Sequence, residues 1–252
     1  MLISERYFKI DEEECLIHLP VKPNGYAVLI LGDRNHFVEN SSSFWRQHTA
    51  RKLMLNSLVE AGYTIFYSNQ GGSHWGNDRI LRVTERLIQY VLKTEILNKN
   101  IHIVAEGMGA LLAIRLMVAS SLNIRTLVLF NPCIDLEKQM EEEKTNRFFY
   151  KRFISEVMKA YEIEEEKVQE LCMKRSKEIM NIPAKIPMRV FQVVYQAPYA
   201  PDLHVRPFIK NLNDTQLELI TTFYLPGKTM EQFSKQVLVF FRKYEKFSFP
   251  KK

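Results

Sequence analysis

The sequence predicts an α/β fold, a mostly parallel central sheet flanked by helices, with a helical segment inserted late in the chain. Three observations predict it. Short β-branched apolar runs alternate with longer segments of helical spacing, the pattern of a parallel sheet covered by crossover helices. The run Tyr26 to Leu31 is apolar at nearly every position, as a strand covered on both faces must be. The chain has 252 residues, 46% hydrophobic and 25% charged, enough for one domain with a substantial core. We expect a single domain over 1–252.

Taken in order, two alternating runs, Arg6 to Ile10 and Cys15 to Leu19, predict an edge hairpin with an acidic turn. The central strand Tyr26 to Leu31 follows, then a polar loop over Gly32 to Ser43. A helix is predicted over Phe44 to Ala61, with Leu53, Leu55, Leu58 and Val59 on its apolar face and Gly62 as its stop. Tyr63 to Tyr67 is the next strand, Ser68 to Asp78 a glycine-rich loop, and Arg79 to Leu97 a helix. Ile101 to Ala105 and Thr126 to Phe130 are buried strands on either side of another apolar helix. Leu29, Ile65, Val104 and Val128 are therefore expected on neighbouring central strands. From Asp135 to about Ile182 the chain is charged and helical, with an apolar stripe of Tyr150, Phe153, Ile154, Val157, Met158 and Tyr161. Its place in the chain points to a helical cap over 136–184; the alternative is a cover for a sheet edge. Met188 to Tyr195 resumes the sheet. A short helix at Pro207 to Leu212, a last strand at Leu217 to Leu225 and a last helix at Met230 to Tyr244 complete it.

The sharpest local signal is Ala105-Glu106-Gly107-Met108-Gly109, a turn between an apolar strand and an apolar helix. In outline it resembles the nucleophile elbow, G-x-S-x-G, of the α/β-hydrolase superfamily. The small outer residues are present, and glycine stands where the serine belongs. A serine there sits in a strained backbone conformation, at a cost of about 1–3 kcal/mol. Glycine adopts the same conformation with little penalty. The resemblance extends over Tyr26 to Tyr244. The loop Gly71 to Asp78, followed by the elbow, looks like that of a group of bacterial serine hydrolases. An excess of Lys, Ile, Asn and Glu likewise points to an AT-rich bacterial genome.

The resemblance implies a triad in the order Ser, acid, His, on loops at the carboxyl ends of the strands. The serine position is Gly107. Asp202 is the one carboxylate near the acid position, and it also has the place of a helix cap. The histidine position, in the turn after the last strand, offers Lys228. The oxyanion hole is made of backbone N–H groups. One should come from Met108 at a helix N-terminus and another from the loop Gly32-Asp33-Arg34-Asn35. An acceptor site for a carboxylate or carbonyl oxygen can therefore outlive the chemistry. The residues expected to line it are Gly32, Asn35, Ser73, His74, Gly107, Met108 and Cys133.

Two function classes follow. The first is a non-catalytic α/β-hydrolase-fold protein with a degenerate triad, binding a small acyl- or carboxylate-type ligand or a protein partner in the old pocket. The second is an active hydrolase of an ester, thioester or amide with rearranged residues. Its fallback groups are Ser73 with His74, and Cys133, which would need an activating neighbour such as His74 or His36; a buried structural cysteine is the other reading of Cys133. Among the other histidines, His18 and His102 belong to strands and His204 is expected near the surface. Cys15, Cys133 and Cys172 form no close pair and no metal spacing, so no metal and no cofactor are expected, and free thiols suit a cytoplasmic setting. No run reaches the roughly 20 apolar residues of a membrane span, and the N-terminus has no signal-peptide pattern. The formal charge of +6 is scattered and carries no nucleic-acid motif. The aromatic and basic C-terminus fits a helix on the sheet with a solvated tail, or a membrane-surface anchor.

Overall fold

The computed structural model describes residues 4–39, 41–119, 122–179, 182, 186–212 and 218–245. Its main sheet has eight strands in the order β1-β2-β6-β3-β7-β8-β9-β10. The edge hairpin is β1 (Ser4–Ile10) and β2 (Glu13–Leu19), antiparallel to each other, and β2 is antiparallel to β6 (Thr64–Ser68). From β6 onward every pairing is parallel, through β3 (Ala27–Leu31), β7 (Ile101–Glu106), β8 (Ile124–Phe130), β9 (Met188–Val193) and β10 (Leu219–Tyr224). Leu29, Ile65, Val104 and Val128 lie on adjacent strands, as expected.

The apolar runs are explained by two cores, one per face. On β3, Ala27, Leu29 and Leu31 point into one core, while Val28 and Ile30 point into the other. A strand whose alternate side chains meet different helix layers has no polar face to show. The first layer holds α3 (Asp78–Thr94), α4 (Gly109–Ala119) and α8 (Val205–Leu212). The second holds α2 (Thr49–Glu60) and α9 (Ser234–Glu245), the latter preceded by a 3-10 turn at Met230–Phe233.

Two local expectations change. The helix predicted over Phe44 to Ala61 is broken at His48, which is extended with φ −79° and ψ 117°. It separates α1 (Phe44–Gln47) from α2. The break resets the helical face: Trp45 and Met54 are fully buried, while Leu53 is 48% exposed. Periodicity carried unbroken across His48 assigns Leu53 to the wrong side. The preceding loop also contains a small hairpin, β4 (Val38–Glu39) with β5 (Ser42–Ser43).

Between β8 and β9 the chain forms α5 (Leu136–Glu143), α6 (Arg147–Tyr161), a 3-10 turn at Glu165–Lys167 and α7 (Val168–Glu178). Asp135 and Asn146 cap the first two helices by accepting from backbone N–H groups. Phe153, Ile154 and Val157 of α6 are buried in a third cluster with Trp75, Met108, Leu111 and Cys133. These helices thus pack over the carboxyl ends of the strands. Asp78 also accepts from Arg115 and Arg175, and Glu178 from the same two arginines, joining the start of α3 to α4 and α7. The expected boundary at 184 and the tail 246–252 lie outside the described residues.

Candidate functional site

The site forms where β7 turns into α4. Gly107 has φ +52°, the left-handed conformation that favours glycine. Its N–H donates to Phe130 O at 3.0 Å, and its own carbonyl accepts from Cys133 N–H at 2.9 Å, so the turn is tied to the end of β8. A Cβ on Gly109 would lie 2.5 Å from Leu31 O. Only glycine lets α4 approach β3 this closely.

The side chain that fills the space where the resemblance expects a nucleophile comes from another loop. A Cβ built on Gly107 would lie 2.3 Å from Cγ of Asp33, which follows directly after β3 and Gly32. Asp33 Oδ1 accepts the Met108 N–H at 3.0 Å and the Tyr199 hydroxyl at 2.7 Å. Burial pushes the Tyr199 phenol well up, followed by the charge of Asp33, so its hydroxyl remains a donor. The Met108 N–H, expected to be open to a ligand oxygen, is therefore held by the chain's own carboxylate. The second expected donor loop does not supply the hole in the expected way either. Gly32 N–H donates to Gln70 Oε1 at 2.9 Å, and Asn35 is exposed. Sequence reading missed Asp33 as an acceptor because Asp33 and Met108 are 75 residues apart and meet only when β3 pairs with β7.

The residues expected at the acid and base positions are both exposed. Asp202 is 81% exposed and pairs with Arg206 at 2.6 Å, one turn on. It lies just before α8 and makes no hydrogen bond to Gly107, Met108 or Asp33 among the described residues. Lys228 is exposed in the turn after β10. At the end of β8, beside the ends of β9 and β10, stands Asn131, also left-handed with φ +43°. Its Oδ1 accepts from Val193 N–H at 2.8 Å, and its Nδ2 donates to the Tyr224 hydroxyl at 2.9 Å. Two neutral groups thus bridge these strand ends. Among the described residues no histidine hydrogen-bonds to Asn131, Tyr224 or Asp33.

The fallback nucleophiles are separated. Cys133 is fully buried among apolar side chains, and burial, followed by the charge of Asp33, pushes its thiol well up. Among the described residues no histidine hydrogen-bonds to it. His74 is buried on the glycine-rich loop, where its Nδ1 accepts from Gly76 N–H at 2.9 Å. Burial and the neighbouring His36 push it down to about 3, so it stays neutral. Ser73 is half-buried beside it and, with His74, lines a separate cavity of about 330 Å³ between this loop and α6. His204, expected near the surface, is 1% exposed. Its Nδ1 accepts from Ile134 and Asp135 N–H at 3.3 Å, and Nε2 pairs with Gln139 Oε1 at 3.0 Å. The start of α5 folds over α8 and covers it. His18 and His102 are buried in the sheet, paired with Tyr67 and Thr126 respectively.

Below the elbow, Glu106 is nine-tenths buried and receives both Nε and a terminal nitrogen of Arg51. Above it opens a cleft of about 380 Å³, bounded by Asp33, Arg34, Glu142, Phe149, Arg152 and Tyr199. Arg34 stacks on Trp75 at 4.5 Å and pairs with Glu143 at 3.3 Å.

This arrangement of sheet and helices recurs in solved hydrolases. The chain has the α/β-hydrolase fold. It superposes on acylaminoacyl peptidase from Pyrococcus horikoshii with a TM-score of 0.70 at 15% identity, over 99% of this chain and 43% of that one. The chain thus spans less than half the length of that peptidase. The Pyrococcus furiosus esterase Pf2001 gives 0.66 at 15% identity, over 97% and 94% of the two chains. Est1E from Butyrivibrio proteoclasticus gives 0.64 at 11% identity, over 96% and 99%. No protein-family model matches the sequence, and no curated protein matches it. Among the described residues no helix is long and apolar enough to cross a membrane, and no cluster of His, Cys, Asp and Glu is placed to hold a metal.

Proposed function

We propose that this protein is a non-catalytic member of the fold that binds a small ligand in the cleft over its degenerate elbow. The observation that carries the proposal is Asp33. Acyl transfer by this fold needs a nucleophile, a base to take its proton, and free N–H groups for the oxyanion. Gly107 supplies no heteroatom. Asp33 fills the space a nucleophile would use and consumes the Met108 N–H. An oxyanion developing there would face a carboxylate in place of a donor, so the electrostatics oppose the transition state.

The same geometry revises the ligand. A carboxylate or acyl oxygen gains nothing at Met108 while Asp33 is in place. The cleft above the turn remains, and its volume of about 380 Å³ lies within the usual range for small-ligand sites. In this reading α5 to α7 act as a cap whose inner face carries Phe153 and Val157. The test is fluorophosphonate labelling and p-nitrophenyl-ester turnover on purified protein. No labelling and no turnover above background are expected. Turnover that survives repurification and is lost on substitution of Cys133, Ser73 or His74 would establish a rearranged hydrolase instead.

A further inference from the structure

The inference concerns the ligand of this cleft and rests on the binding reading above. From the charges that line it, we infer that the ligand is a small zwitterion, an amine and a carboxylate on a frame the size of an amino acid or dipeptide.

The cleft is lined by charges of both signs, Asp33, Glu142 and Glu143 against Arg34 and Arg152. Asp33 Oδ1 is engaged twice, by Met108 and Tyr199, while Oδ2 accepts no hydrogen bond among the described residues. Glu142 Oε2 is buried and likewise unpaired. Burial, then Glu143 beside it, raises the Glu142 carboxyl, and the backbone N–H of Ala200 opposes the rise. An ammonium, with three N–H groups, is the small group that complements carboxylates lining one cleft.

On the cationic side, Arg34 uses one terminal nitrogen on Glu143, and its Nε is buried without a partner. Its guanidinium plane is fixed against Trp75. Arg152 stands at the rim, its side chain 46% exposed, 3.7 Å from Glu156 and 5.3 Å over the Phe149 ring. A ligand carboxylate in the cleft would take charge-assisted bonds from these guanidiniums. A purely cationic ligand leaves the arginines unserved, and a purely anionic one meets Asp33 and Glu142. Phe149, 43% exposed at the same cleft, offers an apolar wall to a ligand side chain.

The probe is the dipeptide Gly-Phe, measured by titration calorimetry and thermal shift against N-acetyl-Gly-Phe and Gly-Phe amide. Gly-Phe is expected to bind and to raise Tm. Each blocked form is expected to bind at least about tenfold more weakly, the loss of one charge-assisted contact. Glu142→Gln keeps the shape and removes the charge; it should weaken Gly-Phe by about tenfold without lowering Tm, and Arg152→Ala should weaken it similarly. Equal binding of the N-acetyl form, unchanged affinity in Glu142→Gln, or no binding of Gly-Phe at all overturns the zwitterion. Those results leave the non-catalytic reading standing, since that reading fails only on phosphonate labelling or ester turnover.

Discussion

At the scale of the residue, Gly107 and Asp33 form a reciprocal pair. The carboxylate can occupy its place only because position 107 has no Cβ. Gly107→Ala is therefore expected to destabilise the protein by about 1–3 kcal/mol from backbone strain, and further by displacing Asp33. In an Asp33→Ala background the second part vanishes. A double-mutant cycle by urea unfolding should give a coupling of about 0.5–3 kcal/mol, and additivity would mean the two residues do not touch.

Three buried histidines give a second prediction at this scale. Burial pushes His36 down to about 4, His74 to about 3 and His204 to about 4. Their folded pKa values lie below the unfolded value near 6.5. The unfolded chain therefore binds more protons between those limits, and stability contributed by the neutral rings is present above about pH 6.5 and is lost as pH falls toward 4. Glu106 acts in the opposite sense, since burial raises its carboxyl and favours the protonated folded form. Glu142 is raised as well, but burial lowers His102 too, and the four histidines outnumber the two carboxyls, so unfolding free energy should fall on acidification. His204→Gln should reduce the slope between pH 4.5 and 6 by up to about 1.4 kcal/mol per pH unit. An unchanged slope would mean His204 titrates normally.

At the scale of the element, α6 is held to the glycine-rich loop through Trp75. The indole N–H donates to Glu156 Oε2 at 3.0 Å, the Tyr161 hydroxyl donates to Trp75 O at 2.8 Å, and Phe153 packs edge-on at 4.9 Å. Phe153→Ala removes a fully buried ring and should cost about 3–5 kcal/mol. Its signature should be a red shift of tryptophan fluorescence, because Trp75 loses that cover. The join at Asp135 is pinned by His204 and by the hydroxyl of Ser176. Lys144, in the link between α5 and α6, and Arg147, at the start of α6, are exposed. Trypsin should cut at these two before any site in the sheet layers, and mass spectrometry of the first fragments checks it.

At the scale of the whole molecule, catalysis on this fold needs three loops from distant parts of the chain to converge. Restoring one residue does not restore the assembly. Gly107→Ser alone should yield no esterase, because the added Cβ meets Asp33 and no base is in place. The fair trial combines Gly107→Ser, Asp33→Ala and Lys228→His, read by p-nitrophenyl acetate hydrolysis and phosphonate labelling. Labelling confined to the triple variant is expected; labelling of Gly107→Ser alone would mean a base stands elsewhere.

The sequence by itself determined the sheet, the helix layers and the glycine turn. Each depends on contacts between near neighbours or on a periodicity that burial on two faces imprints along a single strand. Gly107 was legible for the same reason, since a left-handed turn between strand and helix selects glycine locally. Only the tertiary structure decided what fills the site. Asp33, Met108 and Tyr199 meet across 75 and 166 residues, brought together by the pairing of β3 with β7 and by the loop beyond β9. The burial of His204 and the orphaned oxygen of Glu142 arise likewise from helices folding back over the strand ends. No periodicity records such encounters. A loop residue carries no mark of its distant partner, and a carboxylate's role is set by which N–H groups the fold delivers to it.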